Sequence, residues 1–202
     1  MFDKVDAAQQ FEMLGIKIPR TLTFDDPHFP KIAKPRRGSA SKGLVILRGA
    51  EDKLPLPQGE YLIQEYLENA KEYTVDAFVA REGGFTGLGF RRRLETAGGE
   101  VVRSITVDGS QRFTQVKEMI DKLGLRGAIT LQFIEPQDGG AWRLMEVNPR
   151  LGGGAVLSVH AGWNIPRAII DEYRLKKLTG TALAVSGVKM ARYFEEVVFK
   201  TL

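Results

Sequence analysis

The stretch LMEVNPRLGGG, residues 144–154, places three polar side chains at alternate positions before a run of glycines: Glu146, Asn148 and Arg150. Alternate residues of an extended strand face the same way, so these side chains share one face. Pro149 lacks an N–H and disfavours helical backbone at Asn148, which keeps the segment extended at this point. The pattern predicts a strand whose polar face is aimed at a ligand.

The chemistry of this face suits Mg²⁺ shared with phosphate groups. Magnesium takes a few hard oxygen ligands from the protein and the rest from substrate and water, and Glu146 and Asn148 offer such oxygens. A guanidinium such as Arg150 neutralises charge on a transferring phosphoryl group. For Glu146 alone, a salt-bridged strand carboxylate is the simpler interpretation. Three polar groups on one face of an apolar hairpin, however, are costly unless something uses them.

The partner strand of this hairpin is expected to be TLQFIE, residues 130–135, which carries Gln132. A two- or four-residue loop would place Gln132 opposite Met145 and aim it away from Glu146. A three-residue loop at 138–140 would instead place Gln132 opposite Glu146. The loop sequence Asp-Gly-Gly suits the type I turn plus left-handed glycine that three-residue loops require. We therefore predict the three-residue loop, with Gln132 on the site face.

Composition narrows the class of protein. The 202 residues, 43% hydrophobic and 27% charged, suffice for one sizeable domain or two small lobes. The absence of cysteine excludes disulfides, thiolate metal sites and cysteine nucleophiles, and two histidines make a histidine-rich zinc site unexpected. The apolar runs are too short for a membrane span, and the acidic MFDKVD start does not resemble a signal peptide. We predict a cytoplasmic protein with no membrane partner.

The net charge of +4 and the sequence pI near 9.3 are compatible with an anionic partner. The basic clusters are Arg36-Arg37 and Arg91-Arg92-Arg93. A solvated basic face is the plain interpretation of such clusters. Nucleic acid is a less favoured partner, because no stretch interleaves these arginines with stacking aromatics. Phosphate on a small molecule would account for them equally well.

The order of predicted elements favours an α+β fold, because strands and helices come in groups. Three helices are predicted from caps and stop signals: Asp3 to Gly15, Ser110 to Gly124, and Asn164 to before Gly180. The proline-rich stretch EDKLPLPQG, 51–59, is the candidate link between lobes and divides the chain into 1–59 and 60–202.

Two further segments are candidate binding elements. KPRRGSASKG, 34–43, follows a predicted strand and contains small residues whose backbone N–H groups can wrap phosphate oxygens, although it is not a Walker A loop. IQEYLENAKEYTVD, 63–76, joins two strands and would present backbone groups to a flat ligand such as adenine. Either Glu72 or Asp76 would reach a ribose. Taken alone, each segment is equally compatible with an ordinary turn or strand.

Together these segments resemble the ATP-grasp superfamily, in particular the ATP-binding halves of carbamoyl phosphate synthetase large subunits. The resemblance covers nearly the whole chain. It rests on DK at 3–4, AKPRRGSASKG at 33–43, IQEYLENAKEYTVD at 63–76, TLQF at 130–133 and MEVNPRLGGG at 145–154. It implies an ATP-grasp fold in which two α+β lobes with antiparallel sheets enclose a nucleotide site. The small lobe and its preceding helix would be 1–59, and the C-terminal lobe with the metal site 60–202.

The resemblance also assigns roles to residues. ATP contacts would come from the phosphate lysines and loop and from the adenine and ribose pocket: Lys4, Lys34, Gly38, Ser39, Ser41, Gly43, Gln64, Glu65, Leu67 and Glu72. Mg²⁺, or Mn²⁺, would be held by Gln132, Glu146 and Asn148. Arg150 would steady the γ-phosphate and an acyl-phosphate intermediate, with assistance from Arg91 or Arg93.

The implied activity is that of an ATP- and Mg²⁺-dependent ligase, which joins a carboxylate to an amine or similar nucleophile through an acyl phosphate. Members of the superfamily usually carry an N-terminal domain before the first helix seen here. We therefore expect a separate chain carrying that domain, a truncation or reduced form, or self-association. The alternative functions are a nucleotide-binding module without its own catalysis and a basic nucleic-acid-binding protein.

Overall fold

The computed structural model describes residues 3–38, 41–83, 85–174, 182–193, 195 and 198. Helices within these residues are α1 (Lys4–Met13), α2 (Phe113–Lys122), α3 (Ala155–His160) and α4 (Ile165–Tyr173). Strands are β1 (Lys31–Pro35), β2 (Val45–Leu47), β3 (Tyr61–Glu65), β4 (Lys71–Val79), β5 (Phe85–Ala97), β6 (Glu100–Thr106), β7 (Gly127–Glu135), β8 (Arg143–Asn148), β9 (Ala182–Leu183) and β10 (Lys189–Ala191). Short 3-10 turns lie at Gln58–Glu60 and Ser110–Arg112.

The strands form two sheets whose long pairings are antiparallel, and this arrangement confirms the α+β prediction. The smaller sheet has the order β2-β1-β3, and the larger has the order β10-β6-β5-β4-β7-β8, with β9 pairing parallel to β5. No helix in the described part of the chain is long and apolar enough to cross a membrane.

The two faces of the larger sheet have different roles. Alternate residues of β4 and β7, such as Val75 and Leu131, are fully buried in a core with Phe11 of α1 and Ile120 of α2. The opposite face is covered at one end by a second cluster, in which Phe78 packs with side chains of α4. Many of the remaining buried side chains on that face are polar. The strand period of two thus separates an apolar layer from a polar one.

The smaller sheet is likewise apolar on one face, where Ala33 and Ile63 pack with Leu22. Its other face carries Lys34 and Gln64. Because β3 pairs with β1 along its whole length, the smaller sheet continues past the predicted boundary at 59/60 to Glu65. That boundary therefore does not coincide with the division between the sheets, and the assignment of separate domains stays a prediction.

The observed helix ends agree in part with the ends predicted from the sequence. Asp3 caps α1 by accepting from the backbone N–H groups of Val5 and Asp6, and Asn164 caps α4. The cap predicted at Ser110 is wrong, because Ser110 begins a 3-10 turn and α2 starts at Phe113. The last helix ends at Tyr173, and the residues predicted to extend it from 175 onward lie outside the described part of the chain.

The β7–β8 hairpin has the predicted pairing of Gln132 with Glu146, but a β-bulge produces it and the length of the loop does not. Gln132 lies opposite Glu146, as expected, but nearer the loop Ile134 pairs with Arg143. That pairing leaves residues 135–142, an even number, between the two paired positions, so the predicted three-residue loop is wrong. A β-bulge between Glu146 and Leu144 adds Met145 as an extra residue and shifts the register by one.

Candidate functional site

The polar face of the larger sheet is assembled from strands that are distant in sequence. Thr74 of β4 pairs with Arg91 of β5 on one side and with Gln132 of β7 on the other. Gln132 pairs in turn with Glu146 of β8. Directly opposite residues of antiparallel strands face the same way, so these side chains lie in one row across four strands.

The predicted metal ligands lie together at the β7–β8 end of this row. Asn148 pairs with Thr130, next to the pair formed by Gln132 and Glu146. The Oε1 atom of Gln132 accepts a hydrogen bond from Nη1 of Arg93 at 2.9 Å. Glu146 is exposed, and its carboxylate is not committed to any of the ion pairs seen among the described residues.

This donor set fits Mg²⁺ that is shared with a nucleotide. It offers one carboxylate and two amide oxygens, and the Gln132 oxygen keeps a second lone pair beside its bond from Arg93. Magnesium is commonly held by one or two carboxylates plus substrate phosphates. No group of three His, Cys, Asp or Glu side chains suited to a metal occurs among the residues that the structure describes. The ligand roles themselves stay a prediction.

Lys34 faces the larger sheet from β1. Its Nζ donates to Oε1 of Gln64 at 2.9 Å, and Nε2 of Gln64 donates to the carbonyl of Pro19 at 2.9 Å. Burial lowers the pKa of Lys34 from its usual 10.5 to about 8, although the carboxylates of Glu146 and Glu72 oppose that shift. The lysine is thus held by a neutral partner, and its charge is poorly solvated.

The base of the predicted phosphate loop is tied to α1. Nζ of Lys4 donates to the carbonyls of Pro35 and Gly38, each at 2.9 Å, and Arg36 pairs with Asp3 at 2.9 Å. Lys4 therefore holds the loop in this structure, and its phosphate role stays a prediction. Left-handed backbone recurs along the loop, with φ of 107° at Gly38, 57° at Ser41 and 73° at Gly43. Ser39 lies outside the described residues.

The predicted adenine and ribose residues lie at the junction of β3 and β4. Gln64 is buried, and Leu67 is half-buried in the connection between the strands. Glu65 is engaged within the protein, because it pairs with Arg143 and accepts from the backbone N–H of Arg20 at 2.5 Å. Glu72 lies 3.4 Å from Nε of Arg93. The Arg143–Glu65 pair joins the two sheets beside this junction.

Asp76, the second candidate for a ribose contact, is instead part of a buried ion pair, and that expectation is wrong. Its carboxylate is fully buried and accepts from Nε and Nη2 of Arg91 at 2.6 and 3.0 Å. Ser158 of α3 adds a third hydrogen bond at 2.6 Å. A carboxylate enclosed in this way positions Arg91 and does not reach a ligand.

Arg150 is exposed at the end of β8, where its Nη1 donates to the carbonyl of Leu151 at 3.0 Å. The glycine turn that follows is held by Thr130, whose Oγ1 donates to the carbonyl of Arg150 and accepts from the N–H of Gly152, at 2.9 and 2.8 Å. A Cβ at Gly152 would lie 3.1 Å from the Thr130 side chain. The glycines therefore allow the chain to leave the sheet while packed closely against it.

A cavity of about 140 Å³ opens beside this turn. Its lining includes the three predicted arginines and two of the predicted metal ligands: Arg91, Arg93, Arg150, Gln132 and Asn148. Sequence reasoning missed Arg192, which also lines the cavity, because it follows β10 and belongs to no recognisable motif. Thr130 lies in the TLQF segment, where the sequence predicts no role for it, and Ser158 belongs to no predicted motif. Their positions in the strand and helix pattern carry no signal of the polar network.

The structure therefore brings together five predicted residues around one cavity: Arg91, Arg93, Arg150, Gln132 and Asn148. Glu146 lies next to Gln132 and Asn148 on the same strand pair, and its carboxylate interacts electrostatically with Lys34. Lys4, Gly38, Ser41 and Gly43 lie at the predicted phosphate loop, outside that cavity. Gln64, Glu65, Leu67 and Glu72 lie near the junction of the sheets.

Comparisons with known proteins agree with this architecture. A family model described as "ATP-grasp in the biosynthetic pathway with Ter operon" matches residues 58–193. Among curated proteins, none matches the sequence.

Several solved structures share the fold at low sequence identity. The biotin carboxylase–β-γ-ATP complex from Campylobacter jejuni has a TM-score of 0.75 and 16% identity over 89% of this chain and 47% of that one. N5-carboxyaminoimidazole synthetase from Staphylococcus aureus, complexed with ADP, has a TM-score of 0.72 and 18% identity over 89% and 53%. A biotin carboxylase domain dimer from Hydrogenobacter thermophilus, with MgADP and bicarbonate, has a TM-score of 0.73 and 18% identity over 90% and 47%. The chain spans about half the length of each.

Proposed function

The chain belongs to the ATP-grasp family of the biosynthetic pathway with the Ter operon, and from this we propose that it binds ATP and Mg²⁺ between its two sheets and acts as a carboxylate–amine ligase. The predicted ATP-grasp fold is confirmed by the family match and by the similar structures. The substrates, the metal and the individual site residues are the proposed part.

The nucleotide would lie between Lys34 on the smaller sheet and the polar row on the larger sheet. Lys34 is already oriented by Gln64, and its poorly solvated ammonium would gain from a phosphate partner. The loop from Gly38 to Gly43 would cover the phosphates, and the β3–β4 connection at Leu67 would line the adenine. A nucleotide in this position would explain why each sheet, apolar on one face, carries polar side chains on the other.

Gln132, Glu146 and Asn148 would hold Mg²⁺ against the phosphates. When bound, the ion supplies charge neutralisation for the transferring phosphoryl group. Arg150 and Arg93 line the same cavity and add fixed positive charge there. Mn²⁺ has the same preference for oxygen ligands and would be expected to substitute.

The proposed reaction has two displacements. An oxygen of the acceptor carboxylate attacks the γ-phosphorus, the bond to ADP breaks, and an acyl phosphate forms. The amine nitrogen then attacks the acyl carbon, the bond to phosphate breaks, and the amine proton is released to solvent. Arg150 would stabilise the charge that develops in both steps, and the protein contributes orientation without a covalent catalyst.

The observation that carries the proposal is the pairing of Gln132 with Glu146, whose carboxylate interacts electrostatically with the buried Lys34 of the smaller sheet. The proposal is tested by incubating the chain with ATP, Mg²⁺ and pairs from a panel of small carboxylates and amines, and by measuring ADP and phosphate release. Release that requires both a carboxylate and Mg²⁺ is expected. Binding of MgADP without turnover across the panel would favour the alternative, a nucleotide-binding module. Absence of nucleotide binding would reject both.

A further inference from the structure

The guanidinium of Arg93 is enclosed by oxygen atoms from three parts of the chain. Its Nη1 donates to Oε1 of Gln132 at 2.9 Å, and its Nη2 donates to the carbonyl of Gly99 at 3.1 Å. Its Nε lies 3.4 Å from a carboxylate oxygen of Glu72. An amide oxygen, a backbone carbonyl and a carboxylate are also the ligands that hard divalent cations take in proteins. Arg93 therefore occupies a cage of oxygens of the kind that holds a metal ion.

Arg93 reaches this oxygen cage by crossing a neighbouring strand. Arg91 and Arg93 are two residues apart on β5, so both face the polar side of the larger sheet. Strand β4 separates β5 from β7, which carries Gln132. Strands two spacings apart are separated by about 10 Å, so only a long side chain joins them. Because the side chain of Arg93 is only 10% exposed and is held by three groups, its charge is fixed in place.

The contacts of Arg93 limit the oxygens that are left for metal ions. The bond from Arg93 takes one lone pair of the Gln132 oxygen and leaves the other for an ion. The carboxylate of Glu72 is paired with the same guanidinium. A divalent ion placed between Gln132 and Glu72 would meet this fixed positive charge at close range, where repulsion is strong away from water. The remaining donors, on Glu146 and Asn148 with the second lone pair of Gln132, suit one Mg²⁺ that also binds phosphate oxygens.

The charges around the oxygen cage favour the same conclusion. Lys34 on the smaller sheet interacts electrostatically with Glu146 and Glu72. Arg93 and Arg150 line the cavity on the larger sheet. Three cationic side chains thus accompany two carboxylates before any metal ion binds. Two-metal sites for phosphoryl transfer place a pair of ions about 3.5–4 Å apart to neutralise the phosphate. A guanidinium in the oxygen cage supplies part of that positive charge without a second ion.

We propose that Arg93 takes the place of a second metal ion, so that the chain binds its nucleotide with a single divalent cation; this inference rests on the proposed function. The ion would be held by Gln132, Glu146 and Asn148. Arg93 is a positioning residue in this arrangement. Because a guanidinium can only donate, it turns the oxygen of the Gln132 amide toward itself and leaves the other lone pair of that oxygen for the ion. It also keeps a second ion out of the space between Gln132 and Glu72.

The number of metal ions is measured by equilibrium dialysis of the full chain against Mn²⁺ and β,γ-imido-ATP, a non-hydrolysable analogue of ATP. Complexes of free nucleotide are equal on both sides of the membrane, so the excess on the protein side gives the ions bound per nucleotide. We expect about one Mn²⁺ per bound nucleotide, whereas a two-metal site would take about two. The electron paramagnetic resonance spectrum should be that of an isolated ion, without coupling between ions about 3.5–4 Å apart.

Variants of Arg93 separate its charge from a general effect on the fold. Arg93→Ala empties the oxygen cage and should raise the count to about two Mn²⁺ per nucleotide, with a coupled spectrum. Arg93→Lys keeps a positive charge and should stay at about one. A purely structural role would leave the metal count of both variants unchanged. The matched control is Arg92→Ala, because Arg92 lies opposite Tyr73 of the apolar core and faces away from the site.

The outcomes distinguish this inference from the proposed function. Two Mn²⁺ per nucleotide in the native chain would overturn the single-ion site and leave nucleotide and metal binding intact. A single ion in a folded Arg93→Ala variant, checked by circular dichroism, would overturn the role of Arg93. If β,γ-imido-ATP does not bind, the proposed function and the single-ion site both fail. The native count requires no variant, so it decides the number of ions even where Arg93→Ala does not fold.

Discussion

Gln132 on β7 lies directly opposite Glu146 on β8, although the pairing nearest their connecting loop would by itself align Gln132 with Met145. The β-bulge at Met145 makes the difference. It lets Leu144 face the core opposite Phe133, while Glu146, two residues later, faces the cavity side. In a regular strand these two residues would share a face.

This register predicts a specific cross-link. The native chain has no cysteine, so the double variant Gln132→Cys with Glu146→Cys introduces a single possible pair. Directly opposite residues have Cβ atoms about 4.5–5.5 Å apart, which small adjustments bring into disulfide range. Oxidation should form the intramolecular disulfide, measured as loss of free thiol in the monomer.

The control pair is Gln132→Cys with Arg143→Cys, because Arg143 lies opposite Ile134. Diagonal neighbours of this kind are about 7–8 Å apart. Equal oxidation of both pairs would argue against the bulged register.

Removal of the Glu146 carboxylate should weaken metal–nucleotide binding. Glu146→Ala takes away the only carboxylate of the proposed Mg²⁺ set, and we expect MgADP affinity to fall by about tenfold or more, in line with losses at metal sites. Isothermal titration calorimetry provides the measurement. Glu118→Ala, at an exposed position on α2, is the matched control. An unchanged affinity in Glu146→Ala would remove Glu146 from the site.

Nucleotide binding should be coupled to proton uptake at Lys34. Its pKa of about 8 means that about half of the lysine is neutral at pH 8. A bound phosphate favours the charged form, so binding at pH 8 should take up about half a proton more than in Lys34→Met. Calorimetry in buffers of different ionisation enthalpy measures this uptake. At pH 6.5, where Lys34 is already protonated, the two proteins should show equal uptake.

The same pKa shift predicts a pH effect on the free energy of unfolding. Unfolded Lys34 keeps its proton up to about pH 10.5, whereas the folded protein loses it from about pH 8. The unfolded state therefore binds more protons in this interval, and stability contributed by Lys34 rises with pH from about 8 to 10.5. Urea unfolding should show a steeper rise for the native protein than for Lys34→Met, and identical slopes would contradict the shift.

The buried Asp76–Arg91 ion pair should contribute strongly to the free energy of unfolding. Asp76→Ala leaves Arg91 buried without its counter-charge, and we expect a loss of about 3–5 kcal/mol in the free energy of unfolding. Glu95→Ala breaks an exposed pair with Arg103 and should cost about 0–1 kcal/mol. Urea denaturation compares the two variants. A loss below 1 kcal/mol in Asp76→Ala would show that the pair contributes little.

Sequence patterns predicted much of this architecture because they record local geometry. The alternation in 144–150 indicated the polar face, and the caps at Asp3 and Asn164 indicated where two helices begin. They misjudged Asp76, which looked like an exposed ligand for a ribose. The period of a strand specifies which residues share a face, but it does not specify what covers that face. Ser158 and α3 cover Asp76 from a distance of 82 residues along the chain.

The sequence by itself determined the α+β class, the family resemblance and the set of polar residues that share one face of a strand, because backbone periodicity and motif spacing are local properties. Only the tertiary structure decided that a bulge aligns Gln132 with Glu146, that Asp76 is enclosed, and that Arg192 reaches the glycine turn. Those features depend on how strands pair and which atoms are excluded from water, and both are consequences of packing between segments far apart in the chain.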